Sequence, residues 1–257
     1  MRARFAVIVG VLGLTVAACE TPRTAPDREL GQGFQTAVDF VNETHFRCYI
    51  VSKQTPQPAD TAILTDQFLS DTARIDEPLQ LCAPTSKDGA AILDTTEHLT
   101  IYGAPDSLVP HLIVETEDQF GLRTLEAVGA RYLLVPTEKN GAGFPVNLNH
   151  YRCYEVTGDR VRQTVSLEDQ FGTDERVRVE RPHYFCNPVE KTTSAGTSPI
   201  LEPDVHLTCY EIFAPQRTEA QTADVSNQIE EDTFTITTFE LLCVPSAKGT
   251  VTPVPTE

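Results

Sequence analysis

Histidine and cysteine side chains recur at a fixed spacing in this chain, and together they can support two kinds of chemistry. His150 precedes Cys153 by three residues, and Cys186 follows about 33 residues later. One histidine and two thiolates are ligands of a type that zinc accepts. Two cysteines can instead form a disulfide. The rest of the chain decides between a metal site and a covalent link.

The same pattern is written four times with a period of about 53 residues, so the repeat is the structural unit. We number the repeats 1 to 4, with bounds 45–87, 98–139, 150–191 and 206–248. Each repeat opens on a histidine with a tyrosine four residues later, carries a central Asp-Gln-Phe or its variant, and closes on a lysine. The opening histidines are His45, His98, His150 and His206, the central residues are Asp66, Asp118, Asp169 and Asn227, and the closing lysines are Lys87, Lys139, Lys191 and Lys248.

Repeat 2 indicates what the cysteines do, because it has lost both of them together. Ile101 and Leu134 stand at the two cysteine positions. A bonded pair must be lost as a pair, since a single survivor would be a free thiol in the core. Six cysteines allow fifteen connectivities, and the comparison of the repeats selects one of them. We predict disulfides that join Cys48 to Cys82, Cys153 to Cys186 and Cys209 to Cys243.

The zinc interpretation explains the same residues less well. A ligand set of one histidine and two cysteines would leave His98 without a purpose in repeat 2, yet the histidine is still there. We therefore expect the opening histidine to form a hydrogen bond that fixes the start of its strand, and we predict no metal and no cofactor. A metal-binding envelope protein is the alternative, and it predicts bound zinc and free thiols after purification.

The central carboxylates are candidates for general acid–base catalysis, but their repetition favours a role in the scaffold, because active sites are usually singular. Asp169 is in phase with Val165 and Leu167, so it shares one strand face with apolar neighbours. A carboxylate there needs hydrogen bonds or a charged partner. The adjacent turn can donate backbone N–H groups, and the closing lysine of the same repeat could supply charge. Asn227 accepts hydrogen bonds without a charge, so hydrogen bonding suffices in repeat 4.

The seventh cysteine, Cys19, lies outside the repeats and ends an N-terminal signal. Arg2 and Arg4 precede an apolar run at residues 5–16, which is followed by Ala-Ala-Cys. The run is too short to span a bilayer. Its ending resembles the lipobox of bacterial lipoproteins, which implies removal of residues 1–18 and acylation of the Cys19 thiol, for example with palmitate. A plain secretory signal with an unused cysteine is the alternative.

Location and charge restrict the partners. Glu20 is not the aspartate that retains lipoproteins at the inner membrane, so the outer membrane is favoured, and an oxidising location suits disulfides. Residues 20–41 are polar and proline-rich and predict a flexible tether. Loss of the signal leaves 37 acidic residues and a net charge near −19. Such a surface repels phosphate backbones, so we expect membrane contact through Cys19, envelope or extracellular proteins or glycans as candidate partners, and no nucleic acid.

Short segments with period-two alternation, such as Val177-Arg178-Val179, are separated by turn residues and predict an all-β fold. Repeats 1 and 3 open with His-aromatic-Arg-Cys, whereas repeats 2 and 4 open with His-Leu-Thr. This alternation predicts two tandem β-sandwich or barrel-like domains, 42–140 and 147–249, each a pseudo-twofold pair of about four-stranded repeats. A disordered tail is expected at 250–257. A four-bladed propeller is the alternative, and it gives no reason for the alternation.

The repeat marks His-x-x-Cys-Tyr, Asp-Gln-Phe and Leu-Cys-x-Pro-x-x-Lys resemble those of a family of uncharacterised exported bacterial proteins, classed only as a domain of unknown function. The resemblance covers about residues 42–249, and repeat 2 departs from it at both cysteines. It implies a β domain and export. It implies no substrate and no catalytic residue.

The sequence favours a cell-envelope lipoprotein with a non-catalytic binding or structural role. It contains no Gly-x-Ser-x-Gly elbow, no glycine-rich phosphate loop, no His-Glu-x-x-His and no Cys-x-x-Cys. His111 and His183 occur in one repeat each and are interpreted as exposed or hydrogen-bonded strand residues. The alternative function is a hydrolase that acts on envelope or extracellular polymers through carboxylates of one domain.

Overall fold

The computed structural model describes residues 43–56, 60–105, 111–215 and 219–254. The predicted signal peptide, Cys19 and the tether to residue 41 lie outside the described residues. The described part consists of strands and turns without a helix, which confirms the all-β class. It accordingly contains no helix of the length and apolar character needed to cross a bilayer.

The strands follow the order of the repeats. In repeat 1 the third and fourth strands are separate, whereas in the other repeats one long strand runs through both positions. The strands are β1 (Phe46–Ser52), β2 (Asp60–Thr65), β3 (Ser70–Ile75), β4 (Pro78–Pro84), β5 (Ser86–Lys87), β6 (His98–Gly103), β7 (Leu112–Asp118), β8 (Gly121–Lys139), β9 (Tyr151–Thr157), β10 (Gln163–Asp169), β11 (Gly172–Pro188), β12 (Glu190–Thr193), β13 (Gly196–Ser198), β14 (His206–Phe213), β15 (Gln221–Ser226) and β16 (Glu231–Pro253).

The first and last strand segments of all four repeats belong to one large sheet. Its antiparallel pairs lead from β1 through β4, β6, β8, β9, β11 and β14 to β16. Strand β16 then pairs with β1, where Phe46 lies opposite Cys243. We call this succession of eight paired segments the ring. Each repeat therefore pairs with its chain neighbours, and repeat 4 pairs with repeat 1.

The second and third strand segments of each repeat form a hairpin that associates with the repeat two places away. The pairs at the closing lysines are Leu64 with Lys191, Leu167 with Lys87, Val225 with Lys139 and Thr116 with Lys248. The hairpin β2–β3 also forms a second, four-stranded sheet with β12 and β13. Repeats 1 and 3 thus exchange hairpins, and so do repeats 2 and 4.

The hairpins bury their alternating apolar residues against the outer face of the ring. Val165 and Leu167 of the repeat 3 hairpin share one buried cluster with Val51 and Leu81 of repeat 1. Period-two alternation places one face of each hairpin toward the ring and the other toward solvent. The alternation detected in the sequence is thus explained by contacts between repeats two places apart.

The two halves of the chain are joined across the expected domain boundary. Strand β8 pairs with β9, and β1 pairs with β16, so strand pairs link residues 42–140 to residues 147–249 at both ends of the sequence. The described residues all belong to one compact unit. The two halves are therefore two parts of one body, and the alternation of the repeats needs an explanation other than separate domains.

The C-terminal end of the described chain is more ordered than expected. The sequence predicted a disordered tail from residue 250, but β16 continues to Pro253. Val251 pairs with Val114 of β7, because the free edge of β7 offers backbone partners to a β-branched segment. Residues 255–257 lie outside the described residues.

The cysteine side chains of the repeats lie on the inner face of the ring. Because the hairpins cover the outer face and strand side chains alternate, the cysteines point inward. The structure contains the disulfides Cys48–Cys82, Cys153–Cys186 and Cys209–Cys243, which confirms the predicted pairing. Ile101 and Leu134 lie opposite each other in register and belong to the same buried cluster as the six cysteines. Aliphatic packing therefore replaces the fourth bridge.

Loss of one disulfide is expected to be tolerated when the packing is kept. The double variant Cys48→Ile with Cys82→Leu copies repeat 2, and its free energy of unfolding should fall by about 3–4 kcal/mol, because the bridge constrains a long loop in the unfolded chain. The corresponding double serine variant should be less stable still, since it buries hydroxyls in an apolar core. Urea unfolding compares the three proteins. Equal stability of the two variants would contradict the role assigned to Ile101 and Leu134.

Candidate functional site at the junctions between repeats

Each central Asp or Asn closes its own turn with a side-chain oxygen. Oδ1 of Asp169 accepts hydrogen bonds from the backbone N–H of Phe171 at 2.8 Å and of Gly172 at 3.2 Å. Both bonds recur at Asp66 and Asn227, and the first of them recurs at Asp118, from the N–H of Phe120. The predicted backbone hydrogen bonds are confirmed, and Asn227 forms them without a charge.

The second carboxylate oxygen is bound by the tyrosine of the repeat two places away. Tyr49 donates to Oδ2 of Asp169 at 2.8 Å, and Tyr154 donates to Oδ2 of Asp66 at 2.8 Å. Tyr210 donates to Asp118 in the same way. The spacing of these tyrosines was noted in the sequence without a role. Their fixed position four residues after each opening histidine was the signal for this contact.

Repeat 4 keeps this contact with the hydrogen bond reversed. Nδ2 of Asn227 donates to the hydroxyl oxygen of Tyr102 at 2.8 Å. The hydroxyl hydrogen of Tyr102 is then free to bond Oε1 of Glu230 at 2.8 Å. An amide is thus accommodated because a nearby carboxylate accepts the tyrosine hydrogen.

Two buried arginines explain why odd and even repeats differ. Nε of Arg47 lies 2.7 Å from Oδ2 of Asp169, and its Nη1 lies 2.7 Å from Oδ2 of Asp174. Arg152 of repeat 3 reaches the repeat 1 hairpin at Asp71, at 2.6 Å. Both arginine side chains are fully buried. The Arg-Cys opening of repeats 1 and 3 therefore reflects their exchange of hairpins.

Repeats 2 and 4 have threonine at the arginine position and form a shorter link. Oγ1 of Thr100 lies 2.8 Å from Oγ1 of Thr137, and Oγ1 of Thr208 lies 3.0 Å from the Ser246 hydroxyl. These bonds stay within one repeat. The alternation in sequence thus separates the repeats whose arginine reaches the hairpin of the opposite repeat from the repeats whose threonine bonds a hydroxyl of its own repeat.

The opening histidines are buried at the end of the ring where the chain passes between repeats. Nδ1 of His98 lies 3.1 Å from the carbonyl oxygen of Thr96, as expected for a histidine that fixes the start of its strand. Its Nε2 contacts the amide of Gln170 in the next repeat, and His45 contacts Gln119 in the same way. The glutamine of Asp-Gln-Phe, which the sequence left without a role, therefore links neighbouring repeats.

Burial keeps these imidazoles neutral. Desolvation, aided by the nearby closing lysine, lowers the pKa of His45 and His98 to about 4. The same causes lower the pKa of His150 and His206 to about 3. Burial acts in the opposite sense on the Asp118 carboxyl and raises its pKa to about 6.

Acidification is expected to destabilise the fold between about pH 6.5 and pH 4. Each histidine has a lower pKa when folded, so the unfolded chain binds its proton first, and one pKa unit corresponds to about 1.4 kcal/mol. Asp118, with a raised pKa, contributes the opposite slope between its ordinary value of 3.8 and about 6, and burial also raises the pKa of Asp66 and of Glu97. The four imidazoles outweigh these three carboxyls, because each imidazole pKa falls from 6.5 to about 4 or about 3. Urea midpoints at pH 7.5, 6 and 4.5 should therefore fall in that order.

The histidine contribution can be separated by a matched pair of variants. His98→Gln should flatten the pH dependence of the urea midpoint, because one buried imidazole is gone. His111→Gln changes an exposed residue and should leave the slope as it is. A slope that His98→Gln does not alter would mean that other groups control the acid response.

The closing lysines lie elsewhere than expected. The sequence suggested that each would supply charge to the carboxylate of its own repeat. Instead the ammonium groups lie above the phenyl ring of the next repeat: Lys87 is 5.5 Å from the Phe120 centroid, Lys139 is 5.2 Å from Phe171, and Lys248 is 5.3 Å from Phe68. This is the geometry of a cation–π contact. Lysine and phenylalanine thus meet at the junctions of repeats 1 and 2, 2 and 3, and 4 and 1, whereas repeat 4 has Ile229 at the phenylalanine position.

The junction between repeats 4 and 1 contains a cleft of about 400 Å³. It is lined by Gln67, Phe68, Asp204, His206, Ala247, Lys248, Gly249 and Val251. Burial lowers the pKa of the Lys248 ammonium to about 8, while Asp66 and Asp204 raise it. The cleft therefore combines a cation, an amide, an imidazole and an aromatic ring, which suits binding of a small polar ligand.

Metal chemistry is not supported by the described part of the chain. There, no group of three or more His, Cys, Asp or Glu side chains is placed to hold an ion. The six repeat cysteines are bonded in pairs, so they offer no thiolate to zinc.

Residues 114–245, just over half of the chain, match a repeat of unknown function, DUF7450. The chain belongs to this family. The DUF7450 match begins within the hairpin of repeat 2 and ends within the closing segment of repeat 4, so it covers most of that hairpin, the whole of repeat 3 and nearly all of repeat 4. No curated protein and no solved structure matches the chain. Membership in DUF7450 agrees with the repeated marks and assigns no activity.

Proposed function

We propose that this protein is an exported lipoprotein of the bacterial cell envelope, anchored through acylated Cys19, with a non-catalytic binding or structural role. The tether at residues 20–41 holds the body near the membrane. The anchor fits a chain in which Cys19 is the only cysteine outside the repeat disulfides.

The observation that carries the non-catalytic role is the use of the repeated polar residues. The central carboxylates bind their own turns and the tyrosines two repeats away. Asp118 is 4% exposed and Asp169 is 8% exposed. Carboxylates held in this way use their hydrogen bonds to stabilise the fold. This supports the binding or structural role over the hydrolase.

The disulfides support the proposed location. Structural disulfides persist in oxidising compartments such as the periplasm and the cell surface. Three of them in one core suit a protein that folds after export. The outer membrane is favoured by Glu20 at the position after Cys19.

The anchor is tested by expressing the full chain in a bacterium supplied with an alkyne-bearing palmitate analogue. We expect the wild type to be labelled and to sediment with membranes, and Cys19→Ala to be unlabelled and released. The control is Cys48→Ile with Cys82→Leu, which removes two other cysteines and should stay labelled. Label on the Cys19→Ala protein would rule out this anchor.

The role of the carboxylates is tested separately with Asp118→Asn, which copies Asn227 of repeat 4. If the protein hydrolysed envelope polymers through this group, the substitution would abolish release of soluble fragments from isolated envelopes while the fold persisted. We expect no such release from the wild type, and a fragment release that depends on Asp118 would establish the hydrolase instead.

A further inference from the structure

At the junction of repeats 1 and 2, the closing lysine has a carboxylate beside it. Nζ of Lys87 donates to Oδ2 of the next residue, Asp88, at 2.7 Å. Asp88 has a φ of 52°, and Asn140 after Lys139 has the same value, so the chain turns sharply after the lysine in both repeats. The turn brings the carboxylate of Asp88 back to the ammonium group.

At the junction of repeats 2 and 3, the lysine, glutamine and histidine side chains contact one another. Nζ of Lys139 donates to Oε1 of Gln170 at 2.8 Å, and the amide of Gln170 contacts His98. Lys139 is 7% exposed. This junction is complete without any further group.

The junction of repeats 4 and 1 also has a lysine, a histidine and a glutamine, but the lysine and the histidine lack hydrogen bonds of the kind formed at the other two junctions. Lys248 is followed by Gly249, which has no side chain. Within the described residues, no side-chain acceptor hydrogen-bonds Nζ of Lys248 and no carboxylate lies within 4 Å of it. His206 is 2% exposed, and its Nδ1 has no hydrogen-bond partner in the described part of the chain.

The backbone explains why this junction is open. After Lys248 the chain does not turn but continues in β16, with a shift of register between Lys248 and Val251 where it pairs with β7. Such irregularities re-aim side chains and are frequent next to binding sites. The cleft of about 400 Å³ lies at this shift.

We propose that this cleft binds the carboxylate group of a small organic ligand, which takes the place beside Lys248 that the Asp88 side chain holds beside Lys87. The carboxylate accepts hydrogen bonds from the ammonium group and from the amide of Gln67, and Phe68 forms an apolar wall for the rest of the ligand. Asp204 and the acidic surface disfavour polyanions, so the ligand carries a single negative charge. The inference makes the proposed binding role specific and does not depend on the lipid anchor.

The test uses the purified mature chain in mild detergent, with its lysines reductively methylated with ¹³C, and N-acetylglycine as the probe. Lys248→Arg identifies the Lys248 signal. We expect its titration midpoint, near pH 8 without ligand, to rise by about one unit or more at saturation, because an opposite charge nearby favours the ammonium form. N-acetylglycinamide, which lacks the charge, should have no effect. An unchanged Lys248 signal at 100 mM probe, or an equal shift at Lys139, would refute the site.

Variants test the same site by affinity. Lys248→Met should weaken N-acetylglycine binding at least about tenfold, since it removes a charged hydrogen-bond donor. Lys139→Met is the matched control and should bind as the wild type does. Undiminished binding by Lys248→Met, or equal binding of inorganic phosphate, would show that the cleft does not recognise a monocarboxylate in this way.

Discussion

When the chain is divided into residues 42–140 and 147–254, each piece alone is expected to remain unfolded, and the two are expected to fold when mixed. The hairpins of repeats 1 and 2 associate with repeats 3 and 4, so each piece lacks the partner for its own apolar faces. Each disulfide lies within one piece, so no covalent link joins them. Circular dichroism and light scattering on each piece and on the mixture provide the measurement.

The control for this experiment is the undivided chain, whose spectrum the mixture should reproduce with one copy of each piece. A first piece that carries Arg47→Met should combine poorly with the second piece, because the ion pairs of Arg47 with Asp169 and Asp174 are lost. A piece that folds by itself as a monomer would restore the interpretation of two independent tandem domains.

Replacing Arg47 by methionine is expected to lower the free energy of unfolding by about 3–5 kcal/mol, which is typical when one member of a buried ion pair is removed. Arg47 is fully buried and lies against Asp169, Asp174 and the carbonyl oxygen of Gly172. The substitution keeps the size of the side chain but leaves two carboxylates without their cation. Urea unfolding at pH 7.5 gives the value.

The matched control is Arg131→Met. Arg131 pairs with Glu155 at 3.3 Å, but both side chains are nearly half exposed. Exposed pairs contribute about 1 kcal/mol or less, so this variant should resemble the wild type. A loss at Arg47 no larger than the loss at Arg131 would mean that the exchange of hairpins does not rely on the buried charges.

The features that could be predicted from sequence are those revealed by comparing equivalent positions in different repeats. The joint loss of cysteines in repeat 2 gave the disulfides, because Ile101 and Leu134 could be compared with intact copies. Asn227 gave the hydrogen bonding of the central turn in the same way. Both features are settled within one repeat, where spacing along the chain is enough.

The contacts between repeats could not be predicted, because a period shows which residues are equivalent and not which ones touch. Tyr49 and Asp169 are separated by 120 residues and belong to different marks. The alternation of Arg and Thr openings was correctly detected, but it was assigned to neighbouring repeats and not to opposite ones. Nothing in the local pattern around Arg47 distinguishes these two arrangements.

The pairing of β1 with β16 has a consequence for how the protein is made. Of the described strands, β1 is made first and β16 last, so β1 must wait for its partner, since Phe46 pairs with Cys243. Contacts between such distant positions form slowly, and until they form, both strands present unprotected edges. The large sheet therefore cannot be completed before β16 has been made, and a product that stops before β16 would leave the edge of β1 open to proteases.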